Sequence, residues 1–240
     1  MPLIGSEEII KAKSGYKFSI VPMDQLGASE YTLVAIACDA SSSVCAFDAD
    51  MEACLKEIIE ACKKSPRSEN LMTRLIKFNT KVKEIHGFKL LNTMNLSDYD
   101  GCLNPCGMTA AYDSVYCAIE SVAQYGKILT DQDFTVNGIV FCITDGEDNS
   151  SKFTPAKIKA LRTQLMKDEC LESLLVILIG VGVNSQMLDL FKIEAGLDQF
   201  VDIKDASKKN LAKLAQFVSQ SISSQSQALG TGGPSVTLKI

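Results

Sequence analysis

The chain has 240 residues, of which 46% are hydrophobic and 22% are charged, with a formal net charge of −5. This composition suits one large domain, or one domain with extensions. The sequence contains no cluster of basic residues, which disfavours nucleic acid as the main partner, and no apolar run approaches the ~20 residues that a membrane helix needs. The number of cysteines, nine, is odd, and most of them lie in apolar runs, so we expect reduced thiols and a reducing compartment. Residues 1–13 lack a signal-peptide pattern, so we expect a cytoplasmic protein without a membrane partner.

The first 30 residues are predicted to be an N-terminal extension. Residues 7–13 are expected to form a short helix, capped by Ser6. Residues 16–21 alternate in polarity as a strand does, and Pro22 ends this run. The extension is therefore predicted to contain one short helix and one strand.

A strand–helix alternation begins at residue 31. The predicted strands are apolar runs at residues 32–38, 71–79, 82–91, 137–144, 173–181 and 200–203. The predicted helices cover residues 47–64, 109–125, 155–168 and 185–195, with a last helix after Ser207. The gap between residues 71–79 and 82–91 is too short for a parallel crossover, so this pair is expected to be antiparallel. The pattern predicts a doubly wound α/β sheet with helices on both faces.

The main domain is predicted over residues 31–225, and residues 226–240 are predicted to be a flexible tail. Residues 223–234 are rich in Ser, Gln and Gly, which is typical of flexible segments. Residues 236–240 are expected to form a small strand. This strand would pair with residues 16–21 or allow self-association with a neighbouring molecule.

The turn after the first main strand carries a carboxylate and two hydroxyls at alternate positions, Asp39, Ser41 and Ser43. Thr109 opens the second main helix, and Asp145 follows the strand at residues 137–144. Loops at the carboxyl ends of the strands of such a sheet form its ligand-binding edge. Oxygen ligands of this kind favour Mg²⁺ or Mn²⁺. The sequence therefore predicts a divalent metal site at this edge.

These motifs, Asp-x-Ser-x-Ser, Gly-x-Thr and Thr-Asp-Gly, resemble the von Willebrand factor type A domain over residues 31–225. The resemblance implies a Rossmann-like, mostly parallel six-stranded sheet with one antiparallel edge strand and about six helices. It also implies an intact metal-ion-dependent adhesion site that holds Mg²⁺ (or Mn²⁺ or Ca²⁺). The five ligands implied are Asp39, Ser41, Ser43, Thr109 and Asp145.

The same resemblance implies a non-enzymatic function. A protein partner would supply a Glu or Asp to the open position of the metal, and the chain would act as an adaptor or scaffold. The chain is similar to compact intracellular members of bacteria and phages, some of them linked to tellurium resistance and stress. Six acidic residues in nearby loops predict a partner with a basic or neutral surface, or else are solvated turn residues without such a role. They are Asp48, Asp50, Asp98, Asp100, Glu147 and Asp148.

Several alternatives compete with this interpretation. A metal-dependent hydrolase or phosphoryl-transfer enzyme could use the same ion, with Glu147 or another loop acid as the general base. Cys102 and Cys106, with His86, are candidates for a zinc site, although the Cys-x-x-Cys pairs typical of zinc are missing. A Ser–His–Asp hydrolase would need His86 beside a serine. An extracellular adhesin is disfavoured by the missing signal and the unpaired cysteines.

Overall fold

Six of the eight strands in the described part of the chain form one sheet, in the order β5-β4-β3-β6-β7-β8. The computed structural model describes residues 8–168, 170–183 and 185–239. The strands are β1 (Glu8–Lys11), β2 (Lys17–Ile20), β3 (Glu30–Asp39), β4 (Leu71–Phe78), β5 (Val82–Leu90), β6 (Thr135–Thr144), β7 (Leu174–Val181) and β8 (Gln199–Ile203). The helices are α1 (Asp48–Lys63), α2 (Ala111–Thr130), α3 (Pro155–Asp168), α4 (Ser185–Ala195) and α5 (Lys208–Thr231).

The predicted fold class is confirmed. Strands β3, β4, β6, β7 and β8 run parallel, and the edge strand β5 pairs antiparallel with β4. Alternate side chains of each strand enter two cores. Val34 and Ile36 pack with α1 and α5, whereas Leu33 and Ala35 pack with α2, α3 and α4. Strands buried on both faces need the near-continuous apolar runs that the sequence contains. The described residues hold five α-helices, where the resemblance implies about six.

The register of the two central strands sets the position of the predicted metal site. In the pairing of β3 with β6, Cys38 lies opposite Ile143. Asp39, the last residue of β3, therefore reaches the carboxyl edge beside Thr144, the last residue of β6. Asp145 follows directly in the connection to α3.

The helix predicted at residues 7–13 is wrong for the described residues of that segment. Glu8–Lys11 forms a strand that pairs antiparallel with Lys17–Ile20, and the connecting turn contains Gly15 with φ of 92°. The pairing satisfies backbone groups that a single isolated helical turn would leave to water. Ser6 and Glu7 lie outside the described residues.

The last helix is longer than predicted, because α5 continues to Thr231 and includes residues 226–231 of the predicted flexible tail. Gln225, 1% exposed, anchors α5 to the sheet directly before this extension. Its side-chain Nε2 donates to the carbonyl of Gly138 (3.2 Å) and to Ser173 Oγ (2.8 Å). Its backbone carbonyl accepts from Asn137 Nδ2 (2.8 Å). Tertiary hydrogen bonds therefore order a segment whose composition predicts flexibility.

The predicted C-terminal strand is absent from residues 236–239, and Ile240 lies outside the described residues. Strand β2 pairs with β1, so the predicted pairing of the tail with residues 16–21 is wrong. Self-association with another molecule stays a prediction. Within the described ranges, no helix combines the length and the apolar character needed to cross a bilayer.

Candidate metal site at the carboxyl edge of the sheet

Asp39 is the buried end of the candidate site, with 3% of its surface exposed. Its Oδ1 accepts from the backbone N–H of Ser41 (2.8 Å), and its Oδ2 accepts from Thr144 Oγ1 (2.6 Å). The carboxylate is therefore fixed by its own turn and by the neighbouring strand. Thr144 belongs to the Thr-Asp-Gly motif, but it was not predicted as a functional residue. A hydroxyl side chain at the end of the adjacent strand was the signal for this role.

A chain of hydroxyl contacts leads from this buried carboxylate to the surface. Ser41 Oγ lies 3.0 Å from Ser43 Oγ, and Ser43 Oγ donates to Asp145 Oδ1 at 2.8 Å. Ser41 is buried, Ser43 is exposed and Asp145 is half-buried. The structure thus brings together four of the five predicted ligands, from two loops more than 100 residues apart in sequence.

Asp39 is almost completely shielded from solvent, and Asp145 is partly shielded. Burial raises the pKa of Asp39, against the lowering effect of the hydrogen bonds from Thr144 and Ser41, and the charge of Asp145 raises it further. Burial also raises the pKa of Asp145, while the bond from Ser43 lowers it. Two desolvated carboxylates in one hydroxyl-lined site form a favourable environment for a cation.

Thr109 lies in the loop before α2 and is 5% exposed. Its backbone N–H donates to Asn149 Oδ1 (2.8 Å), and its carbonyl accepts from the N–H of Asn149 (2.9 Å). Among the described residues, the hydroxyl chain of the site does not include the Thr109 side chain. Asn149 was not predicted as a functional residue, and only its place four residues after Asp145 pointed to it.

The loop that carries Thr109 contacts the turn that contains Ser41 and Ser43. The N–H of Ser42 donates to the carbonyl of Gly107 at 3.1 Å. Gly107 has φ of 76°, and a Cβ atom there would lie 2.6 Å from Thr80 Oγ1. Only glycine meets both conditions without strain, which explains the glycine in the Gly-x-Thr motif.

The donor set fits a divalent cation. Four of the five predicted ligands are brought together as oxygen side chains, two of them carboxylates that balance the charge of the ion, as Mg²⁺ and Mn²⁺ prefer. The described residues contain no group of three or more His, Cys, Asp or Glu side chains that could hold a metal. A metal at this site would therefore need hydroxyl groups among its ligands. The alternative zinc site is therefore not assembled. His86 instead contacts the hydroxyl of Tyr99 through Nε2 at 2.9 Å.

Two of the six acidic residues near the site, which we call the acidic rim, have structural roles. Asp100 pairs with Lys56. Asp148 accepts from the N–H of Tyr112 (3.1 Å) and from Ser151 Oγ. These two residues are thus engaged within the chain, and the rim is less available to a partner than its sequence suggests.

Several solved structures share this architecture. The PilB minor pilin from Streptococcus sanguinis is 17% identical, with a TM-score of 0.58 over 89% of this chain and 66% of the pilin. Proximal thread matrix protein 1 from the mussel byssus, with a zinc-occupied adhesion motif, is 19% identical, with a TM-score of 0.53 over 81% of this chain and 46% of that chain. The pilus adhesin SpaC from Lactobacillus rhamnosus GG is 10% identical, with a TM-score of 0.56 over 82% of this chain and 31% of the adhesin.

No protein-family model matches the sequence, and no curated protein matches it. The chain spans about two thirds of the pilin, less than half of the mussel protein and less than one third of the adhesin. Identities this low bear on the fold alone. Together with the observed sheet order and strand directions, they show that this chain has a von Willebrand factor type A-like fold.

Proposed function

We propose that this protein is a metal-dependent protein–protein interaction module, in which Asp39, Ser41, Ser43, Thr109 and Asp145 hold a divalent cation. The observation that carries the proposal is the hydrogen-bonded chain that joins Asp39, Ser41, Ser43 and Asp145 at the carboxyl edge of the two central strands. The mussel protein provides a precedent, because its structure is described with zinc in its adhesion motif.

The proposed ion is Mg²⁺, with Mn²⁺, Ca²⁺ and Zn²⁺ as competitors to be compared. A divalent cation bound by two carboxylates and three neutral hydroxyls keeps affinity for one more anionic oxygen. Ser43 is exposed, and Asp145 is half-buried, so this end of the site is open to solvent. We propose that a Glu or Asp side chain of a protein partner binds there.

The module is proposed to act as an adaptor or scaffold in the cytoplasm, without catalysis. All nine cysteines are free, seven of them buried or partly buried, as suits a reducing compartment. The alternative, a metal-dependent hydrolase or phosphoryl-transfer enzyme, is tested with a panel of phosphoesters, for which we expect no Mg²⁺-dependent turnover. The predicted link to tellurium resistance and stress stays a prediction.

Isothermal titration with Mg²⁺, Mn²⁺, Ca²⁺ and Zn²⁺ tests metal binding. We expect one site per chain. Asp39→Ala should weaken the affinity by more than the roughly 10–100-fold that loss of a supporting residue costs. Because Asp39 is buried, Asp39→Asn is the second variant, since its Oδ1 can still accept the N–H of Ser41.

Asp131→Ala is the matched control for these titrations. Asp131 is an exposed carboxylate at the end of α2, paired with Lys127 (2.9 Å). It is expected to leave the metal affinity unchanged. Equal metal binding by the wild type and both Asp39 variants would show that the ion lies elsewhere, and the proposal would fail.

The open coordination position is tested with the protein loaded with Mn²⁺ and with ¹³C-labelled acetate as a carboxylate probe. Paramagnetic broadening of the acetate signal reports direct coordination. We expect broadening with the wild type that EDTA reverses and that is absent with Asp39→Ala. A loaded protein that leaves the acetate signal unchanged would contradict capture of a partner carboxylate.

A further inference from the structure

We propose that Asn149 positions the Thr109 hydroxyl for the metal, by joining the loop that carries Thr109 to the loop that follows Asp145. Asn149 itself is not a ligand in this proposal. The inference rests on the proposed metal-binding function and adds to it a residue on which the geometry of the site depends.

The contact between the two loops is reciprocal. Asn149 Oδ1 accepts the N–H of Thr109 at 2.8 Å, and the N–H of Asn149 donates to the carbonyl of Thr109 at 2.9 Å. Two hydrogen bonds to the backbone of one residue fix both its position and its orientation. Thr109 is therefore held through its backbone, and its side chain is the one predicted ligand outside the chain of hydroxyl contacts.

Further bonds join the same loop to the first turn of α2. Asp148 Oδ2 accepts the N–H of Tyr112 (3.1 Å), and Ser151 Oγ accepts the N–H of Asp113 (2.9 Å). In return, Asp113 Oδ1 accepts the N–H groups of Lys152 (2.9 Å) and Phe153 (2.8 Å). We call this set of contacts, together with the Asn149–Thr109 pair, the loop clamp.

An aromatic pair closes the loop clamp at its far end. The rings of Tyr116 and Phe153 are stacked, with centroids 3.9 Å apart and planes at 3° to each other. The loop after Asp145 is thus held along the first turns of α2 at several successive points. Within the clamp, Asn149 is the member that contacts a predicted ligand directly, so we assign the positioning role to it.

The sheet gives Asp39 and Asp145 their places, since both directly end or follow a central strand. Thr109 lies between the Gly107 turn and the start of α2. Its two neighbours are bonded to the turn after β4, Met108 N–H to Thr80 Oγ1 (3.1 Å) and Ala110 N–H to the carbonyl of Asn79 (2.8 Å). Thr109 itself is bonded to Asn149, so the orientation of its side chain depends on the loop clamp. Removing the Asn149 side chain removes the bond from the Thr109 N–H and keeps the backbone bond to the Thr109 carbonyl. It should leave the other predicted ligands in place and allow Thr109 to turn.

The test compares the Mg²⁺ and Mn²⁺ affinities of the wild type, Asn149→Ala and Asn149→Asp by isothermal titration. We expect Asn149→Ala to weaken the affinity about tenfold, the lower end of the cost of losing a residue that orients a ligand. Asn149→Asp keeps an acceptor for the N–H of Thr109 and is expected to bind at least as tightly as the wild type. Equal affinity of Asn149→Ala and the wild type would overturn the inference.

A double-mutant cycle with Thr109→Val separates positioning from a general structural effect. If Asn149 acts through the Thr109 hydroxyl, Asn149→Ala should cost less than twofold in the Thr109→Val background. A full tenfold cost in that background would show that Asn149 does not act through Thr109, and this too would overturn the inference.

Asn95→Ala is the matched control, because the Asn95 side chain accepts a backbone N–H, that of Ser97 (3.2 Å), in a loop outside the candidate site. It should leave metal affinity unchanged. The failures of the two proposals are distinguishable. A wild type that binds no divalent ion contradicts the proposed function, whereas a wild type that binds metal as tightly as Asn149→Ala contradicts only the role of Asn149.

Discussion

The salt bridge between Arg74 and Glu84 offers a sharp test of how the N-terminal residues belong to the domain. Arg74 is 1% exposed, and its Nε donates to Glu84 Oε2 at 2.7 Å. The other oxygen of Glu84 accepts from both the N–H (3.0 Å) and the hydroxyl (2.9 Å) of Ser19 in β2. One carboxylate thus pairs a buried cation and anchors the N-terminal hairpin.

Replacing Glu84 by Ala would leave the Arg74 guanidinium buried without its anion. Removing one partner of a buried pair costs about 3–5 kcal/mol. The Glu84 side chain is 19% exposed, and Arg74 keeps a bond to Ser121 Oγ (3.2 Å), so we expect about 3 kcal/mol. The measurement is the free energy of unfolding in urea, taken in EDTA so that metal binding does not contribute.

The matched control is Glu60→Ala, which removes an exposed salt bridge between α1 and Lys64, the residue that follows this helix. Exposed pairs of this kind contribute about 0.3–0.5 kcal/mol. A second test follows amide exchange in β2, which should become faster in Glu84→Ala because Ser19 loses both bonds. A cost below about 1 kcal/mol for Glu84→Ala, the same scale as a surface pair, would refute the idea that this carboxylate joins the hairpin to the sheet.

Three further predictions concern the site and the last helix. Gly107→Ala should lower the free energy of unfolding in urea by more than Gly101→Ala. Both glycines have positive φ, which costs an alanine about 1–2 kcal/mol, but only the Cβ of an alanine at 107 would also clash with Thr80. Gln225→Leu should cost about 1–3 kcal/mol, because its two donated bonds inside the domain are lost. Adding metal at 100 times its dissociation constant should stabilise the domain by about 2.7 kcal/mol, reversibly with EDTA, which a thermal melt would show as a rise of roughly 5–10 °C.

The sheet was predictable because its strands are buried on both faces. Apolar runs such as residues 32–38 have no other stable place in a domain of this size, and the alternation with amphipathic helices fixes the class of sheet. The topology then brings Asp39 and Asp145 to one edge, although more than 100 residues separate them. For the same reason, the proximity of Ser43 to Asp145 could be predicted from the sequence, whereas the role of these residues as metal ligands stays a prediction.

Other features depend on pairings between distant residues, which local patterns do not reveal. Residues 8–11 are too few for a periodicity to decide between strand and helix. The hairpin is anchored by hydrogen bonds from the N–H of Ser14 to Glu120 and from the N–H of Ser19 to Glu84. The composition of residues 226–231 predicts flexibility, because the hydrogen bonds of Gln225 to the sheet cannot be inferred from composition. In both places tertiary contacts override a local preference.

The candidate site thus combines predicted ligands held by the sheet with one held by a loop, and we expect the residues that support the two kinds to respond differently to substitution. Thr144 is 1% exposed, and its hydroxyl donates to a carboxylate. Thr144→Val should therefore lower the free energy of unfolding by about 1.5–3 kcal/mol and weaken metal binding as well. Asn149 is exposed, so water can replace its bonds in the metal-free protein, and Asn149→Ala should reduce metal affinity with little loss of stability. Titration and urea unfolding of both variants measure the two effects. Equal losses of stability in the two variants would contradict this division.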